Sequence, residues 1–215
     1  MLCLKTNQIQ KEKKIKAEGK LNKIFIIIIF FSLCSISPSQ ADDIKDFQIG
    51  GMSLGDSLLR YFDKSEIKNN SYFLEQAKGN KEFKKYGKKI SGQYDKISVT
   101  FKASDQNFTS KSIQGIKWFN DDINSCLKIR DEIIKELSNL FINQPKKDFE
   151  KRVHTFDKDS YSYDYYVIFG SGNLNYEDHV LISCYDWSKK LEYRDHLRVA
   201  IVSKEYIQWL NKLAN

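Results

Sequence analysis

The chain has 215 residues, of which 41% are hydrophobic and 29% charged, a composition typical of one globular domain, or at most two, and not of a disordered chain. The formal net charge of +7 is concentrated at the N-terminus, because residues 1–41 carry seven lysines and two glutamates, or +5, which leaves +2 for the rest. Because residues 42–215 are so nearly neutral, overall charge gives them no reason to bind nucleic acid, and we expect no nucleic-acid partner.

The N-terminal region has the order of an export signal. A lysine-rich segment precedes the apolar run 24–36, IFIIIIFFSLCSI, and small residues follow at Ser39 and Ala41. We predict a signal peptide over residues 1–41 and a single mature domain over 42–215, periplasmic or secreted. An uncleaved anchor is the alternative, but the run is shorter than the roughly 20 apolar residues that span a bilayer, so we expect no transmembrane anchor after cleavage.

A short helix is the first predicted element of the mature chain. Gly50-Gly51 forms a turn, Ser53 is a candidate N-cap, and apolar residues from Leu54 to Phe62 recur at helical spacing. The stretch 63–96 is rich in Lys, Asn, Ser and Gly, which predicts a segment that is mostly loop.

Two strands, a long helix, three strands and a last helix follow. Alternating apolar residues predict the strands, and Asp122 and Pro145 mark the two ends of the long helix. The predicted strands cover 97–101, a segment ending at Trp118-Phe119, 163–169, 179–185 and 197–202, and the last helix covers 203–213. The order αββαβββα predicts an α+β fold, an antiparallel sheet of about five strands with one long helix packed on a face and short N- and C-terminal helices.

Two cysteines, Cys126 and Cys184, remain after cleavage of the signal peptide. In an oxidising compartment they predict one disulfide, with two separately buried thiols as the alternative. They form no C-x-x-C pair, and with three scattered histidines they match no zinc-ligand spacing, so we expect no metal and no cofactor.

Arg130 is anomalous because it falls on the apolar side of the long helix, one turn after Cys126. An unpaired charge there costs several kcal/mol unless the side chain reaches solvent. If the helix and the Cys184 strand run in the same sense, the disulfide brings Arg130 beside Asp186, and we predict an ion pair between them. The opposite sense would bring Arg130 near Ile182.

Three segments resemble a known group of proteins. They are IGGMSLGDSLL, SIQGIKWFNDDINSCL and CYDWSKKLEYRDHLRVAIVSKEYIQWLN, and they are similar to small exported proteins encoded by AT-rich marine bacteria. That group has no assigned function, so the resemblance implies export and a shared fold but no catalytic or binding residue. Gly51-Met52-Ser53 also resembles the corresponding segment of BamE-type envelope lipoproteins.

Aromatic and polar residues flank the predicted turn around Ser188. Two carboxylates, an imidazole and three aromatic rings within reach of one another could bind a sugar or a small polar ligand through ring faces and hydrogen bonds. The candidate ligand-binding residues are Tyr185, Asp186, Trp187, Tyr193, Asp195 and His196. The alternative is an aromatic-capped hairpin without a ligand.

A basic segment from Lys78 to Lys89 interleaves six lysines with Phe83 and Tyr86. Such a segment could hold an anionic envelope partner, and the alternative is a solvated loop.

The sequence contains no G-x-S-x-G, Walker-type, H-E-x-x-H or EF-hand motif. We therefore expect a soluble periplasmic binding or interaction protein without catalysis, whose partner is an unidentified envelope ligand or protein. The alternative is a hydrolase of an envelope polymer that uses His196 with Asp186 or Asp195 as an acid–base pair.

Export is directly testable. The full chain expressed in a Gram-negative host should give a mature product that begins at Asp42, as measured by mass spectrometry of the purified protein. An Ala41→Phe variant, with a bulky residue at the cleavage position, should keep the leader. A wild-type product that retains residues 24–36 in the membrane would contradict the prediction.

Overall fold

The computed structural model describes residues 43–74 and 80–214. The predicted signal peptide and its cleavage site lie outside these residues. The strands are β1 (Ser71–Phe73), β2 (Phe83–Lys89), β3 (Lys96–Lys102), β4 (Ser110–Phe119), β5 (Lys146–Val153), β6 (Tyr161–Phe169), β7 (Asp178–Asp186) and β8 (Asp195–Val202). The helices are α1 (Lys64–Asn70), α2 (Ile123–Leu140) and α3 (Lys204–Ala214). In the part of the chain described, no helix is long and apolar enough to cross a membrane.

The eight strands form one antiparallel sheet in the order β1-β2-β3-β4-β8-β7-β6-β5. Strands β1 to β4 pair in sequence order, and so do β5 to β8, so each half is a meander that is followed by a helix. The halves meet where β4 pairs with β8, from Ser112 opposite Val202 to Phe119 opposite Asp195.

The predicted fold class is wrong in its number of strands and in the placement of its helices. The sheet has eight strands and not about five. The five predicted strands correspond to β3, β4, β6, β7 and β8, and the missing ones are β1, β2 and β5. Strand β5 is an edge strand with the sequence KKDFEKRV and little burial, so it shows no alternation of apolar and polar residues. In β2 the buried residues Phe83 and Tyr86 are three positions apart and lie on opposite faces, which also hides the pattern.

The first predicted helix is also wrong. Gly50, Gly51 and Gly55 all have positive φ, at 59°, 77° and 91°, so the segment turns repeatedly instead of winding into a helix. Only a single 3-10 turn follows, at Leu58–Arg60. The range 63–96, expected to be mostly loop, contains α1, β1 and β2.

Both faces of the sheet are covered, because successive strand residues point to opposite sides. One face, which we call the disulfide face, buries residues such as Val99, Ile113 and Val199 under α2 and the segment from Ile44 to Ile67. The other, which we call the α3 face, buries Phe83, Leu181, Ala200 and Val202 under Tyr206 and Trp209 of α3. The helices therefore lie on both faces and not on one.

The predicted disulfide is confirmed. Cys126 of α2 and Cys184 of β7 are bonded, both are fully buried, and their Cα atoms are 6.0 Å apart. The bond joins two elements that are 58 residues apart in sequence and fastens α2 to the centre of the second meander.

The predicted ion pair between Arg130 and Asp186 is wrong. The Arg130 guanidinium lies 2.6 Å from the carboxylate of Asp148 and 2.8 Å from that of Asp131, and its Nε donates to the carbonyl of Tyr163 at 3.1 Å. Tyr163 lies on β6 directly opposite Cys184, and Asp148 lies on β5. Helix α2 therefore crosses the strands from β7 towards β5 within one turn, whereas the prediction had it run along β7.

Loss of the disulfide should destabilise the fold by about 4 kcal/mol, because the bond closes a long loop in the unfolded chain. We predict this loss of unfolding free energy for the Cys126→Ala/Cys184→Ala double variant in urea titrations, with a larger m-value because the unfolded chain without the cross-link is less compact. Reduced wild type serves as the control and should match the variant. A difference below about 1 kcal/mol from the oxidised protein would contradict the loop-closure account.

Candidate ligand-binding site

A row of stacked rings lies on the α3 face where β7 ends and β8 begins. Tyr185 and His196 are directly opposite each other in the sheet, and their rings stack at 4.8 Å with an interplanar angle of 19°. Trp187 stacks on Tyr185 at 5.6 Å and 10°, and Tyr193 meets Trp187 edge-on at 5.2 Å. The structure thus brings together the four predicted ring residues of the candidate site, which we call the ring cluster.

Three further rings join the ring cluster. His154 lies 4.7 Å from Trp187 and Phe156 stacks on Trp187 at 5.8 Å and 18°, both from the connection between β5 and β6. Trp118, on β4, lies directly opposite His196. Sequence reasoning missed His154 and Phe156 because β5 itself was not predicted. It placed Trp118 at a strand end, but local patterns do not reveal that β4 pairs with β8.

Hydrogen bonds hold the loop that carries Phe156 against the loop after Trp187. The carboxylate of Asp157 accepts from the hydroxyls of Ser160 and Ser188, and the Ser188 backbone N–H donates to the Ser160 hydroxyl at 2.8 Å. These bonds, the one from Ser160 above all, lower the pKa of Asp157. An ion pair between Lys190 and Asp159 adds a second link.

The predicted carboxylates do not join the rings. Asp186 and Asp195 follow the alternation of Cys184 and Leu197, which places them on the disulfide face, opposite to Tyr185 and His196. Asp195 is 5% exposed, and its carboxylate accepts from the Trp187 backbone N–H at 2.9 Å, so it ties the two ends of the loop together. Burial raises its pKa.

His196 is held neutral. Burial lowers its pKa, and its Nδ1 lies 3.0 Å from the carbonyl of Arg194, which can only accept. Nδ1 therefore carries the proton, and the Trp187 indole N–H, 3.3 Å from the same atom, cannot donate to it at the same time. This tautomer leaves Nε2 as the accepting nitrogen of the ring.

An open cleft of about 290 Å³ runs along the cluster, lined by Trp118, Trp187, Tyr193, Arg194 and His196. The Arg194 guanidinium lies over the Trp118 ring at 5.8 Å. Two of the rings project into solvent, since Tyr193 is 58% and Phe156 65% exposed. The cleft thus offers exposed ring faces beside a cation and a nitrogen acceptor.

The basic segment is part of the sheet and not a loop. Lys78 lies outside the described residues, but Phe83 to Lys89 form β2. Lys84 lies over the Phe73 ring and Lys88 pairs with Glu66 at 2.8 Å, both on the disulfide side of the strand. Lys85 points to the α3 face, where its ammonium donates to the Gln114 side chain at 3.2 Å.

Within residues 43–74 and 80–214 there is no cluster of three or more His, Cys, Asp or Glu side chains that could hold a metal ion. The chain also contains two Asp-His dipeptides, at 178–179 and 195–196, that could together suggest a metal site. They are far apart, since His179 lies opposite Val202 and His196 opposite Tyr185, at the two ends of the β7–β8 pair.

Comparison with protein-family models, with curated proteins and with solved structures finds no significant match for this chain. The resemblances to exported and BamE-type proteins therefore stay predictions. The candidate site is argued from its own residues.

Stability should depend on His179. This residue is 3% exposed, and burial lowers its pKa to about 4. The unfolded chain takes up the proton first, so the stabilisation is complete above about pH 6.5 and falls as the pH drops towards 4, by at most about 3 kcal/mol. Urea titrations over this range should show a shallower pH slope for His179→Gln than for wild type. Equal slopes would contradict the assignment.

Proposed function

We propose that this chain is an exported, non-catalytic binding protein that holds an envelope carbohydrate in the cleft along the ring cluster. The observation that carries the proposal is the arrangement of Phe156, Trp187 and Tyr193. The Trp187 ring contacts the other two, both of which are more than half exposed, and Trp187 and Tyr193 line an open cleft. Large exposed apolar groups beside polar ones are typical of a binding surface.

The chemistry of the cleft suits a sugar. The C–H faces of a pyranose ring remove aromatic surface from water when they stack on it, and the hydroxyls then need hydrogen-bonding partners. Arg194 supplies donors, and Nε2 of His196 supplies an acceptor. The loop bonds around Asp157 hold the rings in place, which lowers the entropy lost on binding.

The hydrolase alternative has less support. It needs His196 beside Asp186 or Asp195, but these carboxylates lie on the opposite face of the sheet from the imidazole. No His–carboxylate ion pair occurs among the residues that the structure describes. The cleft is also open, and a hydrolase usually encloses the bond that it cleaves.

Export and location are part of the proposal. The leader pattern of residues 1–41 supports secretion, and the disulfide between Cys126 and Cys184 is consistent with an oxidising compartment. An envelope carbohydrate is the ring-stacking ligand class that such a compartment supplies.

The test compares two tyrosines of equal exposure. Tyr193 and Tyr176 are each 58% exposed, but only Tyr193 lies in the cleft. Soluble peptidoglycan and lipopolysaccharide-core oligosaccharides should quench tryptophan fluorescence of the mature protein, and Tyr193→Ala should weaken binding about tenfold, the effect of losing one stacked ring.

Tyr176→Ala is the matched control and should bind like wild type. Equal affinities of the two variants, or no binding of either oligosaccharide class, would contradict the proposed site. Release of reducing ends that His196→Gln abolishes would favour the hydrolase instead.

A further inference from the structure

The α3 face is polar where α3 does not cover it. Beyond Phe83 and Ala200, which pack under the helix, the same face carries Lys85, Gln114 and Arg198 on three different strands. Apart from His154 Nδ1 at the ring cluster, four buried side-chain polar atoms on this side of the sheet have no hydrogen-bond partner among the described residues. They are Ser98 Oγ, Ser112 Oγ, Arg198 Nε and Trp209 Nε1.

Arg198 is the least compensated charge on this face. It lies on β8, directly opposite Ser183 on β7, and its guanidinium donates a hydrogen bond to the Tyr185 hydroxyl at 3.3 Å. In the described part of the chain no carboxylate oxygen lies within 4.0 Å of it. Arg198 is partly buried, and its Nε is buried without a hydrogen-bond partner. Burying part of a guanidinium without a counter-charge is costly, so an anion would stabilise this side chain.

Two other arginines in this fold have carboxylates that compensate their positive charge. Arg130 has two carboxylates and a carbonyl within 3.1 Å. Arg152 pairs with Asp164 on β6, whose carboxylate also accepts from the hydroxyls of Ser162 and Ser183. The carboxylate of Asp164, on the strand next to Ser183, is therefore already paired with other groups and does not pair with Arg198.

A second cation approaches the same place from the other side. The Lys85 ammonium donates to Gln114, which lies directly opposite Ala200, two residues from Arg198 on the same strand. Burial, and then the positive charges of Arg198 and Lys96, lower the pKa of Lys85 to about 8. Ser98, 1% exposed and directly opposite Gln114, adds a hydroxyl without a partner.

We propose that Lys85, Ser98, Gln114 and Arg198 form a site for an oxyanion, a carboxylate or phosphate group, which we call the Arg198 site. An oxyanion supplies acceptors to the guanidinium, the ammonium and the hydroxyl together, and it neutralises two charges that lack a counter-ion. A cation or a neutral ligand would leave these groups uncompensated.

The Arg198 site adjoins the ring cluster. Tyr185 belongs to both, since its ring stacks on His196 and its hydroxyl contacts Arg198. If the proposed carbohydrate function holds, on which this step rests, the ligand is an acidic sugar whose ring stacks on Trp187 while its anionic group reaches Arg198.

Two nuclear magnetic resonance signals test the parts separately. The Arg198 Nε–H signal, assigned from its absence in Arg198→Met, reports on the anion, and the Trp187 indole N–H signal reports on stacking. The probes are inorganic phosphate, a galacturonic acid trisaccharide and the neutral galactose trisaccharide, titrated at low salt to limit screening.

We expect phosphate, the acidic trisaccharide or both to shift the Arg198 signal, which separates a phosphate from a carboxylate ligand. Arg198→Met should weaken binding of the active probe at least about tenfold, and Lys85→Met about threefold, since each removes a charge-assisted bond. Arg152→Met, which changes an arginine that already has its carboxylate, is the matched control and should bind like wild type. Because Arg198→Met removes an uncompensated charge, it should fold, and Lys85→Met gives an independent measurement.

No shift of the Arg198 signal with any probe, or equal affinity of wild type and Arg198→Met, would overturn the Arg198 site. If both trisaccharides shift the Trp187 signal and neither shifts the Arg198 signal, the Arg198 site is also overturned, but ring stacking on a carbohydrate is still supported. An Arg198 shift with phosphate and no Trp187 shift with either trisaccharide would support the Arg198 site and contradict the proposed carbohydrate function.

Discussion

The pairing of β4 with β8 is the contact on which the rest of this structure depends. It joins two meanders, each complete in itself, into one sheet, and it does so through eight directly opposed residue pairs. The same register sets the candidate sites, because it places Trp118 beside His196 and Gln114 beside Ala200. A slip of one residue would send every side chain of β8 to the other face and separate Arg198 from Gln114. The ring cluster and the Arg198 site are therefore consequences of one register.

Charge compensation divides the two faces. On the disulfide face, Arg130 projects from α2 into the interior and is matched by Asp131 and Asp148, so the charge closes the core beneath the helix. On the α3 face, Arg198 and Lys85 lie near each other with only hydroxyl and amide partners. The charge of Arg130 is compensated within the fold, and Arg198 is the group that a ligand could pair with.

The ring cluster owes its form to loops from different parts of the second meander. Asp157 holds the β5–β6 connection against Ser188 after β7, and Asp195 holds the backbone of Trp187 from the other side. These carboxylates are engaged by the protein itself, so they position the rings. In the proposed function, recognition of the ligand falls to the ring faces, Arg194 and His196. This division also explains why the acid–base pair required for hydrolysis does not assemble, since residues adjacent in a strand point to opposite faces.

Local patterns determined much of this protein. The sequence alone predicts the strands β3, β4, β6, β7 and β8, the helices α2 and α3, the disulfide between Cys126 and Cys184, and the gathering of Tyr185, Trp187, Tyr193 and His196. These features depend on periodicity, capping, cysteine number or the residues of a single hairpin. Only the tertiary structure decided the strands β1, β2 and β5, the partners of Arg130, the separation of Asp186 and Asp195 from the rings, and the isolation of Arg198. Edge strands need little apolar alternation, and the crossing angle of α2 and the β4–β8 register arise from packing between residues far apart in the chain. No local pattern carries that information.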